Sequence, residues 1–230
     1  MKDPYILENG TLSNLLGIED YEELNKAETD IGYVKLLNAD EETKVDCDIN
    51  LLKKIHKHIF EDIFDWAGEF RTVPIYKEEL VIPGMSLQYA EPKEIETLLT
   101  KRLDEMNSYN WKDKSIDEIT KAFTGFLARI WRVHPFRDGN TRTTLTFANI
   151  FAKQHGFEMN MERILDNLGR VQDSQTGKIL RWSVRDKFVL AALDEKNYPE
   201  PEALEEIIKK SIQDGIIKKI NSLNQIIEER

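Results

Sequence analysis

The short segment from His134 to Arg142 brings together a base, a carboxylate and a cation. The pKa of an unperturbed histidine lies near neutrality, so His134 is suited to remove a proton from an incoming hydroxyl group. Asp138 offers a hard oxygen ligand for a Mg²⁺ ion shared with phosphates, and Arg142 offers a charged fork that matches phosphate oxygens. These residue types together predict a cradle for a nucleotide di- or triphosphate.

The surrounding pattern predicts that this segment lies at the start of a helix. The proline that follows His134 disfavours helical geometry there, so the preceding helix is expected to stop near Val133. The next helix is expected to begin about Asn140 and to run to a stop at Gly156. First-turn N–H groups and the helix dipole form an anion site, and Gly139 is expected to let a phosphate approach the backbone closely.

An ordinary turn between two helices is the alternative reading of the same segment. In that case Asp138 and Asn140 act as caps, Gly139 supplies a positive φ, and His134 fills space. The number of specified positions and their place at a helix start favour the phosphate site. Phe136 is expected to point inward and to anchor the loop, which keeps the polar residues around it aimed at the ligand.

The rest of the chain predicts an all-α helical bundle, since apolar residues recur at helical spacing through most of it. The segment at about 70–90 is the main exception and predicts a short, irregular, exposed β-hairpin. A helix is expected to start at Glu91-Pro92. We expect one domain over residues 1–196 and a helical extension over 197–230, interrupted near Asp214-Gly215.

The composition excludes several classes of protein. The 230 residues carry a formal net charge of -10 with a pI near 5.1, which disfavours direct binding of nucleic acid. A single cysteine, Cys47, excludes an intrachain disulfide. The sequence has no apolar run of the ~18 residues that a membrane span needs, and its first residues lack the pattern of a secretion signal. We expect a cytoplasmic protein without a membrane partner, with export as an effector left open.

The segment His-Pro-Phe-Arg-Asp-Gly-Asn-Thr-Arg at 134–142 resembles the signature of the Fic family. That signature has His-Pro-Phe, two residues, Gly-Asn-Gly-Arg, two residues and a second arginine. The resemblance extends to Ile55-His56, to the stretch from Trp66 to Arg71 and to Leu16-Gly17-Ile18, and covers roughly residues 10–195. It implies a Fic-type helical bundle and a protein adenylyltransferase, which moves AMP from ATP onto a Ser, Thr or Tyr hydroxyl of a target protein.

The resemblance also assigns residue roles. It implies that His134 is the general base, that Asp138 holds Mg²⁺, and that Phe136 is the structural anchor. The nucleotide-binding residues expected on these grounds are Arg137, Gly139, Asn140, Thr141 and Arg142. The segment at 70–90 resembles the flap that holds the target by strand addition. The expected target-binding residues of this flap are Arg71, Thr72, Val73, Ile75 and Lys77, although Arg71 and Lys77 equally suit a solvated hairpin.

Two positions depart from the family pattern. Thr141 replaces the second glycine of the signature, and we expect the cradle to survive because threonine still donates its N–H. Leu145 stands where the second arginine would hold the γ-phosphate and pair with an inhibitory glutamate. No stretch fits the inhibitory pattern of Ser or Thr, three residues, Glu, then Gly or Asn. One hypothesis is therefore an enzyme without self-inhibition, and a competing one is an enzyme that uses a different donor or is weak.

Other functions remain open at this point. Relatives of the same class transfer UMP, phosphate or phosphocholine. A non-catalytic nucleotide-binding interaction module is a second class, with the isoleucine-rich helices after residue 204 docking a partner. A toxin restrained by a separate antitoxin is a third. The expected partners are a protein substrate with a hydroxyl acceptor and either a regulatory protein or a second copy of the chain.

Overall fold

The computed structural model describes residues 3–37, 46–194 and 197–228. Helices dominate these residues, which confirms the all-α prediction. The α-helices are α1 (Tyr21–Leu37), α2 (Ile49–Phe60), α3 (Ile95–Asn107), α4 (Ile116–Val133), α5 (Asn140–Gln154), α6 (Met161–Leu165), α7 (Val184–Ala191) and α8 (Glu202–Glu228). No helix within the described ranges has the length and apolar character needed to cross a bilayer.

The helix limits around the chemically active segment match the prediction. Helix α4 ends at Val133, and α5 begins at Asn140 and stops two residues before Gly156, whose φ is +82°. The start predicted at Glu91-Pro92 is also confirmed, because a 3₁₀ turn over Pro92–Glu94 leads into α3. Local signals from proline and glycine were sufficient for these boundaries.

The chain forms two compact units. The first comprises Met1–Ile75, Tyr89–Asn107 and Val133–Ile150. In this unit α1 and α3 pack against α2. The buried face of α2 carries Leu52, Ile59 and Phe60, which recur at helical spacing. All of the predicted site residues except Lys77 belong to this unit.

The second unit comprises Tyr76–Gln88, Ser108–Arg132 and Phe151–Arg230. Its core includes an aromatic cluster of Trp111, Phe123 and Phe157, and α8 packs there against α6 and α7. The predicted break in the last helix at Asp214-Gly215 is wrong, because α8 is continuous. A β-carbon on Gly215 would lie 2.3 Å from the carbonyl oxygen of Glu158, so the glycine permits close packing instead of ending the helix. The division of the sequence at residue 196 remains a prediction.

The strand ladder of the described residues lies at β1 (Val171–Gln172) and β2 (Ile179–Arg181), which pair antiparallel. The segment at 70–90, where a hairpin was expected, forms turns without a paired ladder. The carbonyls of Val73 and Ala90 accept hydrogen bonds from the Arg71 side chain, and prolines at 74 and 83 have no N–H to donate. These two carbonyls are therefore engaged by Arg71, and residues 74 and 83 cannot donate to a ladder.

Candidate active site

His134 leaves α4 in a left-handed conformation, with a φ of +52°. Such a backbone costs about 1–2 kcal/mol for a residue other than glycine, so surrounding contacts must maintain it. The imidazole stacks on the ring of Tyr89 with a centroid distance of 4.1 Å and an interplanar angle of 25°. The side chain is buried, with only 2% of the residue exposed.

Arg71 holds the main chain around His134. Its Nε donates to the His134 carbonyl at 2.8 Å, and its terminal nitrogens donate to the carbonyls of Val73 at 2.8 Å and Ala90 at 2.5 Å. The Arg71 backbone N–H donates to the Pro135 carbonyl at 2.8 Å. The side chain is 2% exposed, and burial lowers the pKa of its guanidinium group. Arg71, which was expected in the target-binding flap, therefore holds the loop that carries His134 in place.

Phe136 and Asn140 close the loop on itself. The Asn140 side chain accepts from the Phe136 N–H at 2.9 Å and donates to the Phe136 carbonyl at 2.8 Å. Phe136 is 1% exposed, and its ring stacks on His56 at a centroid distance of 3.9 Å. The side-chain amide of Asn140 is thus engaged within the loop. The group of Asn140 that is suited to a phosphate is its backbone N–H.

His56 contacts the loop at Asp138. Its Nδ1 accepts from the backbone N–H of Gly68 at 2.8 Å, so this nitrogen carries a lone pair and the ring proton of the neutral form sits on Nε2. The Nε2–H then donates to the Asp138 carbonyl at 3.1 Å. Burial lowers the pKa of the His56 imidazole to about 3, so the ring is neutral at physiological pH.

Gly139 is required by packing as well as by its φ of +75°. A β-carbon at this position would lie 2.2 Å from Cε2 of Phe60. The side of Gly139 that was expected to admit a phosphate is therefore covered by the Phe60 ring. An anion must approach from the N–H side at the start of α5, where first-turn N–H groups lack intrahelical acceptors.

Arg142 lies in the first turn of α5 and is held by α1. Its guanidinium donates to the Glu28 carboxylate and, at 3.2 Å, to the Glu28 carbonyl. It also lies over the ring of Phe60, 4.6 Å from the centroid. Gly32, one turn after Glu28, makes room, because a β-carbon there would come within 3.1 Å of an Arg142 nitrogen. The guanidinium is therefore held in place by α1 and by the Phe60 ring.

Arg137 and Thr141 complete the expected nucleotide-binding set. Arg137 is half-buried and pairs with Asp3, with Nε to carboxylate oxygen at 3.0 Å. Thr141 is half-buried in the first turn of α5. Leu145, one turn further along the helix, is 1% exposed. The position at which the Fic signature has its second arginine is therefore occupied here by a buried, apolar side chain.

The expected flap residues have different environments. Thr72 is exposed, and its N–H donates to the Tyr5 hydroxyl at 3.1 Å. Val73 is buried, whereas Ile75 is half-buried. In the second unit, the carbonyl of half-buried Lys77 accepts from the Ser86 hydroxyl at 3.0 Å.

The residues present fit a Mg²⁺ ion that is shared with a ligand. Asp138 is half-buried and is separated from the start of α5 by one residue, Gly139. The Oδ1 atom of Asp138 accepts a hydrogen bond from the Gly139 N–H at 2.6 Å. Within the described ranges, no group of three or more His, Cys, Asp or Glu side chains converges on a metal position. Mg²⁺ commonly uses one or two carboxylates with water and phosphate oxygens, so a single carboxylate beside an anion site suits it.

Comparison with protein families matches residues 46–152 to the Fic/DOC family, a range that contains the whole loop from His134 to Arg142. The matched range spans just under half of the chain, and it includes the variant positions Thr141 and Leu145.

Curated relatives of the chain carry adenylyltransferase names. It is 28% identical over 165 residues to the protein adenylyltransferase VbhT of Bartonella schoenbuchensis, which covers 70% of this chain and 33% of the relative. It is 28% identical over 121 residues to the probable protein adenylyltransferase y4lH of Sinorhizobium fredii, covering 52% and 59%. The chain thus spans about a third to three-fifths of the length of these relatives.

Solved structures share the fold of this chain. The BepC effector of Bartonella tribocorum with bound AMPPNP aligns with a TM-score of 0.69 at 19% identity, covering 90% of this chain and 95% of that one. A Fic domain from Bartonella quintana with bound ADP aligns with a TM-score of 0.67 at 19% identity, covering 90% and 93%. At this identity the likeness shows the Fic fold.

Proposed function

We propose that this chain transfers AMP from ATP to a serine, threonine or tyrosine hydroxyl of another protein. The observation that carries the proposal is the braced loop in which His134 is followed by Asp138 and by Arg142 at the start of α5. The adenylyltransferase names of the relatives and the nucleotides bound by structural neighbours support a nucleotide donor. Because the chain spans only part of these relatives, the activity is a proposal for this chain.

In the proposed reaction, His134 accepts the proton of the target hydroxyl as the oxygen attacks the α-phosphorus of ATP. The bond from that phosphorus to the bridging oxygen breaks, and pyrophosphate departs in line. Burial of His134 limits entry of water, which would compete with the target as the acceptor. The products are an AMP–protein ester and pyrophosphate, with the proton held on His134 until it is released to solvent.

We assign phosphate binding to the N-terminal turn of α5. The backbone N–H groups of Asn140 and Thr141, with the Arg142 guanidinium, would hold the α- and β-phosphates. The Gly139 N–H would join them by exchanging the Asp138 carboxylate oxygen for a phosphate oxygen. Arg137 would join them by exchanging Asp3 for a phosphate. Asp138 would hold Mg²⁺, which when bound neutralises part of the polyphosphate charge.

The target segment is proposed to bind along the flap through main-chain hydrogen bonds. Strand addition uses backbone groups, so it does not require the buried side chains of Arg71 and Val73 to face the target. Thr72, Ile75 and Lys77 remain the proposed side-chain contacts with the target.

We further propose that the chain acts in the cytoplasm, with export as an effector as the alternative. The proposed partner besides the target is a regulatory protein or a second copy of the chain.

A donor with two phosphates is a second candidate, and the burial of Leu145 favours it. An apolar, 1% exposed side chain at the position of the family's second arginine offers no charge to a γ-phosphate. The first-turn N–H groups of α5 and Arg142 suit two phosphates as well as three. A transferred UMP, phosphate or phosphocholine group would leave its own mass on the target.

The test is intact-mass analysis of proteins incubated with the chain and a panel of donors in Mg²⁺. ATP is expected to add the mass of AMP to a target protein or to the chain itself. His134→Ala is expected to reduce labelling by about 10²- to 10⁴-fold, the usual loss when a general base is removed. The matched control is His155→Ala, since His155 is exposed near the end of α5. Absence of any nucleotide adduct with the wild type would falsify the proposed function.

A further inference from the structure

We propose that His56 is a positioning residue that fixes the orientation of the Asp138–Gly139 peptide in the nucleotide site. The inference rests on the proposed function, since the peptide that His56 orients belongs to the proposed phosphate-binding site. His56 is 0% exposed and therefore acts only through the protein groups that it contacts.

The imidazole is fixed in its plane and at both nitrogens. Nδ1 accepts from the Gly68 N–H at 2.8 Å, and Nε2 contacts the Asp138 carbonyl at 3.1 Å. The ring stacks on Phe136 at a centroid distance of 3.9 Å, and it also contacts the ring of Phe60 at a centroid distance of 4.7 Å. A ring flip would place a C–H group against the Asp138 carbonyl, so the donor stays directed at this oxygen.

The direction of the Asp138 carbonyl determines the direction of the next N–H. A trans peptide is planar, and its C=O and N–H point to opposite sides. Because the carbonyl points at His56, the Gly139 N–H points away from it, towards the Asp138 carboxylate at 2.6 Å. That is the side on which the proposed Mg²⁺ and phosphates would lie.

Glycine at position 139 makes this orientation easy to lose. A peptide flip changes ψ of Asp138 and φ of Gly139, and glycine accepts either sign of φ at little steric cost. The flipped peptide would present a carbonyl oxygen to the phosphates in place of an N–H, which repels an anion. The His56 hydrogen bond therefore selects the anion-binding orientation.

Two substitutions separate this role from simple packing. The amide nitrogen of His56→Gln reaches the position of Nε2 and keeps the donor to Asp138. The amide oxygen of His56→Asn reaches the position of Nδ1 and keeps the acceptor for Gly68. Each variant loses one buried hydrogen bond, so the two are matched in stability cost to within about 1 kcal/mol.

The first measurement is the dissociation constant of ADP with Mg²⁺ by calorimetry, together with the KM for ATP. His56→Gln is expected to bind within a few-fold of wild type, whereas His56→Asn is expected to lose about 10- to 100-fold, the usual effect of a lost supporting contact. Equal losses in the two variants, or weaker binding by His56→Gln, would overturn the inference.

The second measurement needs no nucleotide. The ¹⁵N spectrum of the wild-type imidazole is expected to show a protonated Nε2 and an unprotonated Nδ1, and the Gly139 amide signal is expected to shift or double in His56→Asn only. The opposite tautomer, or an unchanged Gly139 signal in His56→Asn, sinks the inference. If wild-type protein neither binds nucleotide nor labels a target, the proposed function fails, while this spectrum still decides the orienting role of His56.

Discussion

The guanidinium of Arg142, in the first turn of α5, is hydrogen-bonded to both the carboxylate and the main-chain carbonyl of Glu28 on α1. Their side chains are 18% and 10% exposed. Removing one member of a pair shielded from water to this degree costs more than removing one member of a surface ion pair, because the remaining charge is left poorly solvated and unpaired. The proposed phosphate-binding cation is thus part of the packing between two helices.

Replacing Glu28 by Gln is expected to lower the free energy of unfolding by about 1–3 kcal/mol, since Arg142 loses its anionic partner. Denaturant titration measures this change. The matched control is Glu22→Gln, an exposed carboxylate in the first turn of α1, for which we expect a change within about 0.5 kcal/mol. Equal effects of the two substitutions would contradict the stabilising role of the pair.

Gly139→Ala is expected to destabilise the fold more than Gly156→Ala. Both glycines have a positive φ, +75° and +82°, so alanine at either position costs about 1–2 kcal/mol in backbone strain. Only at Gly139 would the new methyl group also overlap the Phe60 ring, whereas no atom lies within 4 Å at Gly156. Thermal unfolding of the two variants measures the difference, and a Tm for Gly139→Ala at or above that of Gly156→Ala would contradict the packing argument.

The glycines inside α8 and α4 are expected to respond in opposite directions to alanine. At Gly215 a β-carbon would lie 2.3 Å from the Glu158 carbonyl oxygen, so Gly215→Ala should destabilise the protein by about 1–3 kcal/mol. At Gly125 no atom lies within 4 Å, so Gly125→Ala should stabilise it by about 0.4–1 kcal/mol through helix propensity. Urea titrations compare the two, and stabilisation by Gly215→Ala would show that the 158–159 main chain gives way.

Cys47 is expected to react slowly with thiol reagents in the folded protein. Burial raises the pKa of its thiol to about 11. At pH 8 the folded thiolate fraction should be roughly 100-fold below that of an exposed cysteine. The pKa of the Cys47 thiol is higher in the folded state than in the unfolded state. The contribution of the protonated thiol to folding stability is therefore complete below its unfolded pKa and is lost as the pH rises towards 11.

Thiol modification measured from pH 7 to 10, with and without denaturant, tests this expectation. The rate in the folded state should rise steeply only near the upper end of that range. Equal rates in folded and unfolded protein at pH 8 would show that the thiol is accessible and ionises normally. Cys47→Ser provides the blank, since the chain has a single cysteine.

Local signals in the sequence were sufficient for the helix limits on both sides of the loop and for the all-α class. Val133 and Asn140 mark these limits in both the prediction and the structure. Apolar periodicity, a proline after His134 and a glycine after α5 act within a few residues, so they can be recognised without the fold. The same local reasoning failed at Gly215, where a distant carbonyl explains the glycine.

The residue types of the candidate site were also determined by the sequence, whereas the partners that orient them were decided by the tertiary structure. Arg71 meets His134 across 63 positions, His56 meets Asp138 across 82, and Glu28 meets Arg142 across 114. Hydrogen bonds over such separations leave no periodic trace, because they depend on which helix faces meet in the core. Arg71, an expected surface residue of the flap, is instead buried and holds the loop that carries His134 in place.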